Sequence, residues 1–201
     1  MCRFIESIRW ENADMPLIAL HQLRFEKTQK EVFGSIIHSS LKDTIDLQAA
    51  LRRDINTGKY KCRVVYDDQH ISVEFIPYHQ AKIDRLKIVT DDEIDYHLKY
   101  EDRTCFKKLK SGSGEGTEIL IVKNNLITDT SFSNVALWDG IKWFTPAAPL
   151  LEGIQRAFLI SRKEIFPEEI SLDELHHFKK IKLFNAMIHW EEAPVLDIPW
   201  D

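Results

Sequence analysis

Hydrophobic and polar positions alternate at the beginning of this chain in the manner of a β-strand. Phe4, Ile5 and Ile8 are separated by polar residues, which predicts an opening strand. Apolar residues then recur at roughly helical spacing over residues 17–33, and Gly34 is a typical residue for ending that helix. The same spacing predicts a second helix over residues 44–55.

The pattern after the second helix is rich in strands. Residues 62–66 and 71–76 predict one hairpin, and residues 135–138 and 141–144 predict another about the strong turn dipeptide Asp139–Gly140. Further strands are predicted over residues 86–89, 118–123, 164–170 and 181–184, and further helices over residues 102–109, 153–160 and 173–177.

Composition places the chain among globular proteins of one or two domains. Its 201 residues are 44% hydrophobic and 29% charged, with a formal net charge of −5, which gives no reason to expect a nucleic-acid partner. No apolar run reaches membrane-spanning length, so we expect no membrane association. The flexible-looking segment after residue 76 suggests a small first domain over residues 1–84 and a larger second domain over residues 85–201.

The cysteines and the first residues indicate a cytoplasmic protein. Cys2, Cys62 and Cys105 show no CxxC spacing, and an odd, sparse count is typical of reduced thiols. The opening alternates like a strand and does not resemble a signal peptide. The His176–His177 pair has no third ligand at sensible spacing, so we predict no metal site.

Three features together suit one kind of cofactor. Asp129 lies in a polar turn between two predicted strands, and a predicted helix begins after Gly153 with its first backbone N–H groups available. A carboxylate and a phosphate-binding helix end suit pyridoxal phosphate, which also requires a lysine. Lys99 follows alternating apolar residues and faces away from Leu98 and Tyr100 by strand parity. Taken alone, Asp129 is as typical of an Asx turn, and Lys99 of a solvated lysine.

Four segments, in this order, make the chain similar to a known family. It resembles the class IV (fold type IV) pyridoxal-phosphate enzymes, which include branched-chain aminotransferases, D-amino-acid aminotransferases and aminodeoxychorismate lyases. Phe4–Arg9 resembles F-E-T-x-R, His21–Phe25 resembles H-x-x-R-L, and Leu98–Arg103 resembles the segment around the family's lysine. The fourth segment is Leu126–Asn134, which resembles V-T-E-G-x-x-S-N. It is followed by Thr145–Pro146, resembling T-P, and by Leu151–Arg156, resembling L-x-G-I-T-R.

The resemblance implies an α+β fold of type IV. A small N-terminal α/β part would precede a larger, strand-rich, barrel-like α/β part that carries Lys99, with the cofactor in the cleft. The family forms homodimers, so a homodimer is expected.

The resemblance also implies a set of cofactor-binding residues. Lys99 would hold the cofactor covalently and later move a proton, Arg24 would bind the phosphate, and Asp129 would face the ring nitrogen. The further contacts would come from the backbone N–H groups of Ile154 and Gln155 and from the turn formed by Asn185, Ala186 and Met187.

Two positions depart from the family pattern. Asp129 stands where glutamate is usual and is one methylene shorter. Gln155 stands where threonine is common, which removes a possible hydroxyl donor to the phosphate. Both departures concern activity more than fold.

The sequence leaves three functions open. The segment Phe184–Met187 before Pro194 looks most like the lyase branch, which favours conversion of 4-amino-4-deoxychorismate to 4-aminobenzoate and pyruvate in folate biosynthesis. A class IV aminotransferase acting on D-amino or branched-chain amino acids would use the same lysine for a 1,3-proton shift. A non-catalytic relative that binds cofactor poorly and acts as a binding subunit is the third hypothesis. The first two imply a small-molecule amine as substrate.

Overall fold

A computed structural model describes residues 2–52 and 54–198. The chain divides into two compact units, of which the smaller comprises Met1–His79 with Leu98–Asp102. The larger comprises Gln80–His97 with Arg103–Asp201. Both units mix helices with β-sheet, as the hydrophobic pattern predicts.

The smaller unit is a three-stranded antiparallel sheet with two helices. The strand order is β1-β2-β3. Its elements are β1 (Phe4–Glu11), α1 (Ile18–Phe33), α2 (Leu41–Ala49), β2 (Lys59–Tyr66) and β3 (Ile71–Pro77).

Alternate residues of β1 form the floor of this unit's core. Phe4 and Ile8 are almost fully buried, and Phe25 from α1 and Leu41 from α2 pack into the same cluster. The ring of Phe25 meets that of Tyr66 edge to face, with centroids 4.6 Å apart. Apolar residues at strand spacing and at helical spacing therefore meet on one face of the sheet.

The second helix begins and ends earlier than the sequence predicts. Instead of covering residues 44–55, it spans Leu41–Ala49, because the Ser40 side chain accepts a hydrogen bond from the backbone N–H of Asp43 and caps the helix there. Ile55 is fully buried without being helical. Its carbonyl accepts a hydrogen bond from the indole N–H of Trp10, so its apolar character reflects core packing.

The segment that carries Lys99 pairs with β1. The N–H of Ile5 donates to the carbonyl of Lys99 at 2.9 Å, the N–H of Glu101 donates to Arg3, and Phe4 faces Tyr100 in an antiparallel bridge. This pairing makes the segment part of the smaller unit. The sequence suggested one boundary after residue 84, which would have left the lysine in the second part.

The larger unit contains two sheets. In the three-stranded sheet, of order β4-β5-β6, the first pair is parallel and the second antiparallel. The five-stranded sheet has the order β11-β10-β7-β8-β9. The strands are β4 (Arg85–Thr90), β5 (Thr117–Lys123), β6 (Leu126–Thr130), β7 (Asn134–Trp138), β8 (Trp143–Pro146), β9 (Phe166–Glu168), β10 (Lys180–Phe184) and β11 (Val195–Asp197).

Short helices connect these strands. α3 spans Thr104–Leu109 and α4 spans Ile154–Ser161, while Asp173–His177 and Trp190–Glu192 form 3-10 turns. Within the residues that the structure describes, no helix has the length and apolar character to cross a membrane.

The turn between β7 and β8 confirms the hairpin predicted about Asp139–Gly140. The Asp139 carboxylate accepts hydrogen bonds from the N–H groups of Ile141 and Lys142 at 2.6 and 2.7 Å. Gly140 has φ +112°, a conformation that glycine adopts without strain.

The core of the smaller unit yields a stability prediction. Phe25→Ala should lower the free energy of unfolding by about 3–5 kcal/mol, because it opens a cavity at a fully buried ring. Leu23→Ala, on the exposed side of the same helix with 63% of the side chain accessible, should change it by less than about 0.5 kcal/mol. Urea unfolding measures both, and equal losses would contradict the assigned faces.

Candidate active site

A buried carboxylate lies at the end of β6. Asp129 is 4% exposed. Its Oδ1 accepts a hydrogen bond from the Asn134 side-chain amide at 2.8 Å, and its Oδ2 accepts one from the backbone N–H of Leu151 at 2.9 Å. The carboxylate therefore joins β6, the start of β7 and the loop that leads to α4.

Burial raises the pKa of Asp129 to about 6, against the opposing effects of the Leu151 and Asn134 hydrogen bonds and the positive charge of Arg156. At neutral pH the carboxylate is mostly ionised. Each carboxylate oxygen has a second lone pair, so Asp129 can accept a further hydrogen bond, such as one from a protonated ring nitrogen.

The start of α4 is packed against Asn134. The Asn134 amide also donates to the carbonyl of Leu151 at 2.9 Å, and a Cβ atom on Gly153 would lie 1.8 Å from the Asn134 side-chain oxygen. Only glycine fits at this position. The first hydrogen bond of the helix is donated by the N–H of Ala157 to the carbonyl of Gly153. The earlier N–H groups of the first turn therefore have no partner within the helix, as in anion-binding sites.

Gln155 leaves a polar atom unsatisfied in the first turn of α4. The residue is 6% exposed, and its side-chain oxygen has no hydrogen-bond partner among the described residues. A buried amide oxygen without a partner is costly unless another molecule supplies a donor. The predicted donors Ile154 and Gln155 thus stand at a helix end that suits an added polar group.

The turn of residues 185–187 contacts the turn that follows β6. The side-chain amide of Asn185 donates to the carbonyl of Phe132 at 3.3 Å and to the hydroxyl of Ser133 at 3.1 Å, and its oxygen accepts from the N–H of Met187 at 2.9 Å. Ala186 lies inside this small turn. The larger unit therefore brings together three of the predicted segments: Asp129, the start of α4 and the 185–187 turn.

In the smaller unit, the predicted phosphate ligand Arg24 is bound to a buried glutamate. Its Nε and Nη2 donate to the two oxygens of Glu6 at 2.8 and 2.6 Å, and His21 Nδ1 lies 2.7 Å from Glu6 Oε2. This fork-to-fork pair fixes the orientation of the guanidinium. That Arg24 binds a phosphate stays a prediction.

The pKa values of this cluster follow from burial and charge. Burial alone would raise the pKa of Glu6, but the charge of Arg24 and the hydrogen bonds from His21 and Arg24 outweigh it and lower the pKa to about 2. Burial lowers the pKa of His21, although its hydrogen bond to Glu6 acts in the opposite direction. The cluster is therefore an ionised glutamate and arginine with a neutral histidine.

Lys99 lies beside Ile5 next to the bridge between Phe4 and Tyr100, and the N–H of Tyr100 donates to the carbonyl of Leu98 in a tight turn about it. Its positive charge helps to lower the pKa of His21, the residue bound to Glu6. The strand parity that the sequence predicts for Lys99 stays a prediction.

The face of β1 that carries Ser7 and Arg9 is basic. In the β1–β2 register Ser7 is opposite Arg63, and Arg9 is opposite Lys61. Strand residues are about 3.3 Å apart, so Arg9 lies roughly 13 Å along β1 from the position opposite Lys99. Glu101 binds both Arg63, at 2.6 Å, and Arg3, at 2.7 Å.

Arg9 is the most unusual member of this face. It is 6% exposed, and within the described parts of the chain its Nε and Nη1 have no hydrogen-bond partner. The nearest carboxylate oxygen, on Glu11, lies 3.8 Å from Nε, which is too long for a hydrogen bond. A buried guanidinium in this state is expensive and is suited to binding an anion.

Asn134, which the sequence places only within the family-like segment Leu126–Asn134, bridges Asp129 and Leu151. An amide that follows a carboxylate across a tight turn was the available signal. The eight predicted site residues all lie in the described part of the chain, and their roles and their binding of one cofactor stay predictions.

Comparison with known proteins links the chain to one family. A family model for "Amino-transferase class IV" matches residues 97–196. An uncharacterized protein of Haemophilus influenzae is 32% identical over 189 residues, which cover 93% of this chain and 98% of that protein.

Solved structures give the same result. The structure of "a putative 4-amino-4-deoxychorismate lyase" from Haemophilus somnus 129pt is 33% identical, covers 93% of this chain and 97% of its own, and has a TM-score of 0.86. A "hypothetical aminotransferase" from Mycobacterium tuberculosis in its "PLP-bound form" is 12% identical, with a TM-score of 0.76 and coverage of 96% and 80%. These likenesses confirm the predicted α+β fold of type IV.

The Glu6 cluster predicts a loss of stability in acid. Because the Glu6 pKa is lowered from an ordinary 4.5 to about 2, its contribution is complete above pH 4.5 and is lost as the pH falls towards 2. Glu6→Gln should lower the free energy of unfolding by about 3 kcal/mol at pH 7. The difference from the natural protein should shrink steadily below pH 4.5.

Urea unfolding at several pH values measures this difference. Glu115→Gln, at an exposed position, serves as the control and should show no such convergence. A gap for Glu6→Gln that stays constant down to pH 2 would contradict the assigned pKa.

Proposed function

The chain belongs to the amino-transferase class IV family, and on that premise we propose that it is a pyridoxal-phosphate-dependent lyase. Its substrate would be 4-amino-4-deoxychorismate, and its products 4-aminobenzoate, used for folate, and pyruvate. The relative from Haemophilus somnus, described in the words quoted above, supports this choice over other reactions of the family.

The residues present fit pyridoxal phosphate. The N–H groups at the start of α4 that have no partner within the helix suit an anionic group, whereas the unsatisfied Gln155 oxygen is an acceptor and suits a donor. The buried, ionisable Asp129 suits a basic ring nitrogen, since its two oxygens can accept one more hydrogen bond than the Asn134 side chain and the backbone of Leu150 and Leu151 supply. Arg24, Ile154, Gln155 and the 185–187 turn would hold the remainder of the cofactor.

The observation that carries the choice of substrate is the basic face of β1 with the buried Arg9, whose Nε and Nη1 have no hydrogen-bond partner among the described residues. 4-Amino-4-deoxychorismate carries two carboxylates, and guanidinium groups bind carboxylates in a planar fork. A branched-chain amino acid has one carboxylate and an apolar side chain, which would require an apolar wall. The charge of this face therefore favours the dicarboxylate.

The chain's own groups supply the proton transfers. The Nζ atom of Lys99 takes the proton from the amine-bearing carbon of the substrate. Pyridoxal phosphate, when bound, supplies an electron-accepting ring that stabilises negative charge on that carbon. Asp129 keeps a proton on the ring nitrogen. As the carbon–oxygen bond to the enolpyruvyl group breaks, the product ring becomes aromatic, and Lys99 returns the proton to the departing group to give pyruvate.

The activity has a direct test. With pyridoxal phosphate and 4-amino-4-deoxychorismate, and with no added 2-oxo acid as amino acceptor, the purified protein should form 4-aminobenzoate and pyruvate in equal amounts. Lys99→Ala should lower the rate by at least about a hundredfold, because it removes the proton-transfer group. Lys107→Ala, at an exposed position of α3, should leave the rate unchanged. Chromatography measures 4-aminobenzoate, and a coupled dehydrogenase assay measures pyruvate.

The rival functions give different results in the same experiment. Turnover of D-alanine or a branched-chain amino acid with 2-oxoglutarate, without 4-aminobenzoate, would show an aminotransferase instead. If borohydride reduction in the presence of pyridoxal phosphate labels no peptide that contains Lys99, the protein is a binding subunit and the proposal is wrong.

Arg9 gives a second prediction for the substrate. Arg9→Met should raise KM for 4-amino-4-deoxychorismate by about tenfold or more through the loss of a charged hydrogen bond. It should leave the thermal midpoint unchanged or higher, because a buried guanidinium with unsatisfied groups is replaced by an apolar side chain of similar length. Arg85→Met, at an exposed position of β4, is the control. An unchanged KM would exclude Arg9 from substrate binding.

A further inference from the structure

We propose that Glu118 and Arg103 are positioning residues of the cofactor site. They hold the turn of residues 131–133, between β6 and β7, and through that turn they set the places of Asp129 and Asn185. The inference rests on the proposed function, because it assigns their effect to cofactor binding.

Glu118 is a fully buried carboxylate whose hydrogen bonds go to backbone groups of the turn and of its own strand. Its Oε1 accepts from the N–H groups of Ile119 and Ser131 at 3.0 and 3.1 Å, and its Oε2 lies 2.6 Å from the ammonium of Lys110. Burying a charge costs several kcal/mol unless it is well paired. Lys110 supplies the opposite charge, and Oε1 of the same carboxylate binds the N–H of Ser131.

Arg103 binds the carbonyl of the same residue, Ser131, to which its Nη2 donates a hydrogen bond. The guanidinium lies over the ring of Phe106, at 4.9 Å from the centroid, and near the ring of Tyr96, at 5.9 Å. Two charged side chains from different elements thus bind the N–H and the C=O of one residue, and such charge-assisted bonds are stronger than neutral ones.

The turn connects these two residues to the site. Asn185 hydrogen-bonds to Phe132 and Ser133 in this turn. Asp129 lies two residues before the turn and Asn134 directly after it, and the two hydrogen-bond each other. A displacement of the turn would therefore move the carboxylate and the 185–187 turn together. Misplacement by about 1 Å is enough to weaken a positioned site by up to about a hundredfold.

Conservative variants separate positioning from the mere presence of a charge. Glu118→Gln keeps an oxygen that accepts from Ser131, and Lys110, with 38% of its side chain exposed, is able to turn towards solvent. Glu118→Ala removes the acceptor. Arg103→Lys keeps a donor for the Ser131 carbonyl but loses the planar group that stacks on Phe106, and Arg103→Met removes the donor.

Absorbance titration of the full-length protein with pyridoxal phosphate measures the effect without relying on turnover. Glu118→Ala and Arg103→Met should raise the dissociation constant by about tenfold, while Glu118→Gln should stay within about twofold of the natural protein and Arg103→Lys should lie between. Leu175→Ala, a core variant in the same unit that does not touch the turn, should lower the thermal midpoint and leave the dissociation constant unchanged.

Each outcome decides the proposal. If the alanine and methionine variants bind as tightly as the natural protein, or weaken only as much as Leu175→Ala, the two residues are structural and the inference is wrong. If Glu118→Ala or Arg103→Met does not fold, the conservative variants decide. The inference is then overturned if Glu118→Gln binds pyridoxal phosphate no more tightly than Arg103→Lys. If the natural protein itself binds no pyridoxal phosphate, the proposed function fails and the inference fails with it, whereas normal binding by every variant overturns the inference alone.

Discussion

The hydrogen bonds of the buried Asp129 carboxylate hold together the part of the larger unit that contains the candidate site. One oxygen binds Asn134 and the other binds the backbone of Leu151. Asn134 in turn lies so close to Gly153 that no side chain fits there. One carboxylate and one amide therefore position the end of β6, the start of β7 and the N-terminus of α4. The distance from Asp129 to the start of α4 depends on both groups.

Two buried carboxylates in this chain have opposite pKa shifts, and their partners explain the difference. Glu6 is bound in a fork by the positive Arg24, which lowers its pKa to about 2 despite complete burial. Asp129 is hydrogen-bonded mainly by neutral groups, and burial raises its pKa to about 6. Glu6 thus carries a permanent charge that orients a guanidinium. Asp129 stays responsive to an added proton or cation, which is the property that a ring-nitrogen partner requires.

The sequence predicts much of the local structure correctly, and its errors have identifiable causes. The long helix ending at Gly34 and the hairpin about Asp139–Gly140 both follow from short-range spacing. The second helix was predicted too late in the chain. Ile55 continues the apolar spacing of the helix, but it is buried by core packing and is not helical. The importance of Asn134 was missed because its partners, Asp129 and Leu151, meet it only in the fold.

The motifs and their order along the chain carry the resemblance to the family, which implies its fold. Hydrophobic spacing and turn chemistry, which are properties of neighbouring residues, predict the individual helices, strands and turns. Only the tertiary structure decided which unit contains Lys99, since that depends on pairing with Ile5, far away in the chain. It also decided that Arg24 is paired with Glu6 and that Arg9 is buried with unsatisfied nitrogens. Burial and charge pairing arise from groups that are distant in sequence, so no local pattern encodes them.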